Sequence, residues 1–266
     1  MCNEEKIFKA RPHPKAYPHG PLEQVLTDLF VVKGTIAMNM GFLTMTFSRN
    51  MTVIRQKGSN NRNDELVLVN TVRLDDDGLD ALDKLGVVKH IIRVAGFHGM
   101  DDPFYKERYP ESTVWVIEDA TYFDAFATRS KEVYFQPDER MTTETKIPVQ
   151  KAFLHVIESK SPKDGILVLE RPEGKVLITG DSLQNMETCD EYYNCLGKIC
   201  MRLMGFIGPC QVGPAWVKAS KVQGEEMLKL LEFKFDHVLP GHGYPVMGQA
   251  WKKYEDAIVK MSAKKD

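Results

Sequence analysis

Lys175-Val176-Leu177-Ile178-Thr179-Gly180-Asp181-Ser182 is the stretch whose reading decides the fold. Val176 to Thr179 are β-prone and read as a buried strand; Gly180 lets the backbone turn, so that Asp181 stands at the strand's end. In layered α/β proteins, sites are built at such strand ends. About sixty residues on, the device recurs. Phe235-Asp236-His237-Val238-Leu239 leads into Pro240-Gly241-His242-Gly243-Tyr244-Pro245, a short strand delivering a histidine between two glycines. Asp181 and His242 are therefore the first two candidate ligands.

Between the two devices, Trp216, Ala219, Met227, Leu230 and Leu231 favour one side of a long helix after Pro214. Beyond the second, Trp251, Tyr254, Ile258 and Met261 mark a C-terminal amphipathic helix. Both stripes read as core faces. The Met- and Cys-rich stretch 183–214, with Gly197, Gly205, Gly208, Pro209 and Gly213, has no clear periodicity; it reads as an insertion, either a lid, a plain covering segment or a subunit contact. Upstream, 152–157 and 165–170 read as strands, with a Pro-Glu-Gly turn at Pro172 to Gly174 leading into the Asp181 strand.

The front half follows the same logic. Residues 1–24 carry Pro12, Pro14, Pro18 and Pro21 and read as an arm, with 25–266 as one domain. Strands are expected at 28–32, 42–47, 51–55 and 65–70, the early ones as hairpins. Leu79, Leu82 and Leu85 then recur at helical spacing behind the acidic cap Asp75-Asp76-Asp77. Val87 to Val94 returns to strand, which makes a parallel crossover. A strand at 113–117, a short helix around 121–128 and a charged connection at 131–150 complete this half.

The crossover strand opens into Ala95-Gly96-Phe97-His98-Gly99-Met100-Asp101-Asp102-Pro103. His98, flanked by glycine at a strand end, is a candidate ligand or catalytic group. Asp101 and Asp102 are candidates too, although Asp-Asp-Pro is also an ordinary helix start. His13 and His19 lie in the proline-rich arm, and His155 in mid-strand reads as a sheet-face residue. Of five cysteines, Cys189, Cys195, Cys200 and Cys210 crowd the insertion without a C-x-x-C pair, so free thiols are expected.

Composition narrows the classes. The chain has 266 residues, 43% of them apolar, and a formal charge of -2 spread along its length. This gives no field suited to nucleic acid or anionic membrane. No run reaches the roughly 18 apolar residues of a membrane helix, and Asn3-Glu4-Glu5-Lys6 is no signal-peptide core, so a cytoplasmic address is expected. A small-molecule substrate is the expected partner, with homo-oligomerisation left open.

Strand, Thr179-Gly180-Asp181, helix, strand and Pro240-Gly241-His242-Gly243, taken in this order over residues 25 to 260, resemble the second half of the metallo-β-lactamase superfamily. The resemblance implies an α/β fold, a four-layer αβ/βα sandwich, in which the Asp181 position bridges two metals and the His242 position binds one. The family's H-x-H-x-D-H signature is degraded here. With His98 in the second histidine's place, Gly96, Met100 and Asp101 take the others; with His98 in the first's, Asp102 falls on the aspartate while Met100 and Pro103 replace histidines. A further family histidine is expected near 158–165, where Lys160 stands as a substitute. Two readings follow. In the first, His98, Asp181, His242 and Asp101 or Asp102 hold one divalent ion (zinc, iron or manganese) in a hydrolase of unknown substrate. In the second, Lys160 replaces the cation near Asp181, and the protein is a metal-free binding or scaffold member.

Overall fold

In the computed structural model, which describes residues 13–58, 63–120, 122–123 and 133–263, the chain lays down two sheets in succession. Strands β1 (Glu23–Leu26), β2 (Leu29–Met40), β3 (Leu43–Lys57) and β4 (Asp64–Val69) run antiparallel, each beside the last. Helix α1 (Asp76–Leu85) then crosses to β5 (Val87–Arg93), which pairs parallel with β4 as its pattern predicts. Asp75 caps α1 by accepting from the Gly78 N–H at 2.9 Å. Helix α2 (Asp102–Arg108) leads to β6 (Thr113–Ile117); after the short strands β7 (Tyr122–Phe123) and β8 (Val133–Phe135), β9 (Glu139–Met141) closes the first sheet.

The second sheet begins with β10 (Ala152–Val156), β11 (Gly165–Arg171) and β12 (Gly174–Ile178), a meander. Strands β13 (Leu183–Met186) and β14 (Gly208–Val212) pair with each other around α3 (Cys195–Leu203). Helices α4 (Pro214–Ser220) and α5 (Gly224–Glu232) return the chain to β15 (His237–Leu239), parallel to β12, and α6 (Ala250–Ser262) follows.

Period-two alternation distributes the apolar side chains over three layers of core. Val67, Val69, Leu167, Leu169, Val176 and Ile178 meet between the sheets. Their neighbours Leu66 and Leu68 face α1 and α2, and Ile166, Val168 and Leu177 face α4 to α6. Both faces of each sheet are thus covered, which is why these strands are nearly continuous apolar runs. The result is the expected four-layer αβ/βα sandwich. In α6, Tyr254 and Ile258 are buried, with Trp251 and Met261 packed beside them.

Four expectations change. The strands expected at 42–47 and 51–55 are one strand, β3, because Ser48, Arg49 and Asn50 continue its pairing with Thr35, Gly34 and Lys33. The long helix after Pro214 is broken into α4 and α5 where Lys221 takes a left-handed conformation, φ 49°. Tyr122–Phe123 is strand; the rest of the helix expected around 121–128 lies outside the described residues. The connection expected at 131–150 supplies β8 and β9, the latter joining the first sheet; the unassigned stretch 183–214 packs Met186, Tyr193 and Met201 on Ile36, Met45 and Phe47 of the β2–β3 hairpin.

What fixes one half on the other is Asn50. Its backbone N–H donates to Gly241 O at 2.8 Å, and its side-chain amide donates to Pro240 O at 2.8 Å and Gly243 O at 2.7 Å. Asn50→Ala strands two buried carbonyls at about 1–3 kcal/mol each. Urea unfolding is expected to show a loss of about 2–6 kcal/mol; a loss below about 0.5 kcal/mol, the scale of an ordinary surface substitution, counts against this role.

Candidate functional site

Three strand ends from the two sheets converge. β12 and β15 run side by side, with Ile178 opposite Leu239, so the turns that follow them emerge together. Thr179 N–H donates to Leu239 O at 3.1 Å, and Gly180 and Gly241 pack so closely that a β-carbon on Gly241 would stand 2.7 Å from Gly180 O. That contact is the physical reason for glycine at 241; glycine is needed at 180 because a β-carbon there would overlap Ala95 Cβ and stand 2.7 Å from Asp164 Oδ1. Gly243, at φ 89°, lets the chain leave the turn in a conformation that side chains disfavour.

The third end is that of β5. Arg93 Nε donates to Ala95 O at 3.0 Å and its Nη2 to Gly96 O at 2.5 Å, which folds the loop back and presents His98. Gly165 N–H, from the second sheet, donates to Val94 O at 2.8 Å. Asn70, just past β4, adds a further tie by donating to Thr179 O at 3.3 Å while accepting from Val94 N–H at 3.2 Å.

Here His98, Asp181 and His242 meet. The two imidazole Nε2 atoms are 3.1 Å apart. His98 Nε2 lies 3.4 Å from one Asp181 oxygen and His242 Nε2 lies 3.3 Å from the other. All three residues are buried, at 8%, 7% and 6% exposure, so water does little to screen them. His242 Nδ1–H donates to Ser48 O at 2.8 Å, which fixes the tautomer and leaves the Nε2 lone pair facing the other two groups. His98 Nδ1 and Asp181 Oδ2 have no hydrogen-bond partner among the described residues.

The charges follow from burial and neighbours. Burial pushes His98 below the usual imidazole range, against the pull of Asp181, and so favours the neutral ring. Burial would raise Asp181, but the adjacent imidazoles outweigh it and hold the carboxyl well below its ordinary value. Asp164, fully buried nearby, is driven up by burial and by Asp181, while its Oδ2 accepts the Ser182 N–H at 2.7 Å.

Neutral imidazole nitrogens and a carboxylate converging on one point are a donor set for a divalent cation. Tetrahedral ligands about 2.0–2.1 Å from an ion lie roughly 3.3 Å from one another, close to the 3.1 to 3.4 Å separations observed. Because the imidazoles face different Asp181 oxygens, a single-oxygen arrangement has one longer edge, within 4.8 Å. The residues fit one ion.

The other candidates lie apart from this group. Asp101 is fully buried in an ion pair with Arg49 Nη2 and accepts the Arg73 N–H at 2.9 Å; although it is the N-cap residue of α2, its side chain makes no capping bond. Asp102 accepts from Thr71 Oγ1 and Tyr122 OH, each at 2.5 Å. Lys160 is exposed, and its backbone N–H donates to Ser220 O. His13 pairs with Glu107; His19 accepts the Asp75 N–H, and His155 packs edge-on against Phe233. Cys189, Cys195, Cys200 and Cys210 are free thiols. No helix among the described residues is long and apolar enough to cross a membrane.

Sequence reasoning missed Ser48, Asn50, Asn70 and Asp164. The signal for the first two was present: Ser48-Arg49-Asn50 interrupts an apolar run without any glycine or proline to make a turn.

No protein-family model and no curated protein matches the chain. Solved structures do. A DIM-1 metallo-β-lactamase exposed to ceftazidime is similar at 13% identity and TM-score 0.57, over 92% of this chain and 99% of its own. FIM-1 from Pseudomonas aeruginosa, in a mono-zinc form, is similar at 10% identity and TM-score 0.54 over 94% and 99%. The metallo-β-lactamase from Pontibacter korlensis gives 12% and 0.53 over 90% and 98%.

The Asp102 carboxyl gives a pH test. Burial raises it above its ordinary 3.8, with Thr71, Tyr122 and Arg93 opposing. The unfolded chain therefore loses this proton first, and the contribution of Asp102 to stability falls as pH rises from about 3.8 through the folded value. Asp102→Asn is expected to remove that fall, gaining stability relative to the parent between pH 4 and 7 in urea unfolding. An unchanged difference across this range contradicts it.

Proposed function

The chain has the metallo-β-lactamase fold, and on that premise we propose that it is a divergent metal-dependent hydrolase holding one divalent cation on His98, Asp181 and His242. The observation that carries the reading is the mutual approach of three buried donor atoms supplied by both sheets. A zinc, iron or manganese ion is compatible with two imidazoles and a carboxylate. When bound, such an ion supplies a water acidified to near neutrality, able to attack an ester, amide, thioester or phosphodiester.

The protein's own part is orientation. Ser48 O holds the proton on His242 Nδ1, so that ring offers Nε2. Burial favours the neutral His98 ring, and because His242 Nε2 is an acceptor, His98 Nε2–H donates across their 3.1 Å contact; binding an ion would displace that proton. Asp181 remains anionic because its imidazole neighbours favour that form over protonation. The backbone of the Asp181 turn is held by Asp164 through Ser182 N–H, which keeps the carboxylate from swinging out of the pocket.

The metal-free alternative has one observation behind it: Arg49 already compensates Asp101, so this carboxylate of the front loop needs no cation. Lys160, being exposed, lends that alternative no support. Elemental analysis of protein purified without chelator separates the two. About one divalent ion per chain is expected, falling to background in His242→Ala and Asp181→Asn while the fold survives by circular dichroism. A folded parent protein free of metal, unable to take up added zinc, iron or manganese, would overturn the hydrolase reading.

A further inference from the structure

We propose that the cavity between the N-terminal segment and β3 is an anion site, in which Arg49 and Arg73 grip a carboxylate or phosphate group. The cavity has a volume of about 150 Å³, and its walls include Lys15, Thr35, Arg49, Arg73, Met100 and Asp101. Its size suits one small oxyanion or the acidic end of a larger ligand.

The argument rests on donors without acceptors. The Arg49 side chain is 5% exposed and spends Nη2 on Asp101, yet its Nε has no partner among the described residues. Arg73 Nε and Nη1 are buried and unpartnered as well. Buried polar atoms left this way are costly and rare; on residues that line this one cavity, three such donors stand against a single unpartnered acceptor, Asp101 Oδ1, and the surplus calls for a further acceptor. The Arg73 guanidinium sits over Phe104, its Cζ 3.0 Å from the ring centroid, which restricts where the fork can move. Two guanidinium charges against the single Asp101 carboxylate leave a positive excess, and exposed Lys15 adds to it. A second cation is disfavoured in such a place, whereas planar or tetrahedral oxygens match it bidentately.

The site adjoins the His98, Asp181 and His242 group through the chain itself. Arg49 directly follows Ser48, whose carbonyl orients His242, and Met100 and Asp101 follow His98 by two and three residues. Arg49 is close enough to His98 for its charge to bear on that ring. Resting on the hydrolase reading, the cavity would hold the acidic end of the substrate; as an anion site it stands without that reading.

The test is calorimetric titration of inorganic phosphate, and separately of succinate, into the full-length protein at low salt, with ¹H–¹⁵N spectra of the arginine Nε–H groups. Saturable one-site binding that shifts the Arg49 and Arg73 Nε–H signals is expected; the tighter of the two anions identifies the group. Arg73→Gln should weaken it about tenfold or more, and Arg73→Lys less, because charge is kept and the fork lost. Should Arg73→Gln fail to fold, the parent's spectra decide alone. Absence of saturable binding overturns the proposal, as does binding that is unchanged in Arg73→Gln, since that anion would sit elsewhere. Metal content of the same samples keeps the two readings apart: Arg73-dependent binding without metal leaves the anion site standing and removes the hydrolase, and the converse result does the opposite.

Discussion

The side-chain amide of Asn50 carries more of this structure than its size suggests. It belongs to the first sheet and donates to Pro240 and Gly243, the residues on either side of the Gly241-His242 step that the second sheet delivers. A site made of groups from separate strands works only if their relative positions hold to about half an ångström. Apolar packing between the sheets supplies cohesion without direction. Hydrogen bonds supply the direction. Asn50 fixes the His242 turn against β3, Asn70 ties the ends of β5 and β12, and Val94 O receives Gly165 N–H across the gap. The Asn70, Val94 and Gly165 ties lie where strands end, and Asn50 reaches the turn after β15 from the middle of β3, so the rigid part of each sheet extends to the site.

The electrostatics of this region are arranged to keep carboxylates from competing. Asp101, Asp102, Asp164 and Asp181 are all buried, and four like charges in one low-dielectric region would repel strongly. Each meets a different solution. Asp101 takes a guanidinium, Asp102 two hydroxyl donors, and Asp164 a backbone N–H with its carboxyl pushed toward the neutral form. Only Asp181 has imidazoles for neighbours; like Asp101 and Asp164, it keeps one oxygen without a hydrogen bond among the described residues. The anionic carboxylate best able to accept a cation is therefore set apart from the other three by what surrounds it, not by burial.

The layers of the fold were readable because they follow from period and punctuation. Alternate apolar residues in β4, β11 and β12 separate cleanly into inter-sheet and helix-facing cores. Gly180, Gly241 and Gly243 mark places where backbones touch or take positive φ. The three converging residues were readable as strand-end polar groups. What was not legible was partnership at long range. Asp101 and Asp102 look interchangeable in sequence, yet one faces Arg49 from β3 and the other Tyr122 from β7, and no local pattern encodes those pairings. Ser48-Arg49-Asn50 was misread for a related reason: polar residues in a strand suggest its end, unless distant groups satisfy them.

That misread tripeptide also bears on how many cations the pocket can hold. Each of its residues has a separate duty: Ser48 O orients His242, Arg49 neutralises Asp101, and Asn50 secures the turn. A second ion in the front loop would need Asp101 as a ligand; Arg49 and the Arg73 N–H both bind its Oδ2, and although Oδ1 has no partner among the described residues, an ion there would share the carboxylate with the Arg49 guanidinium or displace it. Displacing a guanidinium from a fully buried carboxylate would leave an uncompensated charge, a cost of several kcal/mol that one more metal bond must exceed. The arginine is thus a standing substitute for positive charge on that side. The donor set on the other side retains room for one ion, and the two arginines facing the neighbouring cavity bias it toward ligands that bring negative charge of their own.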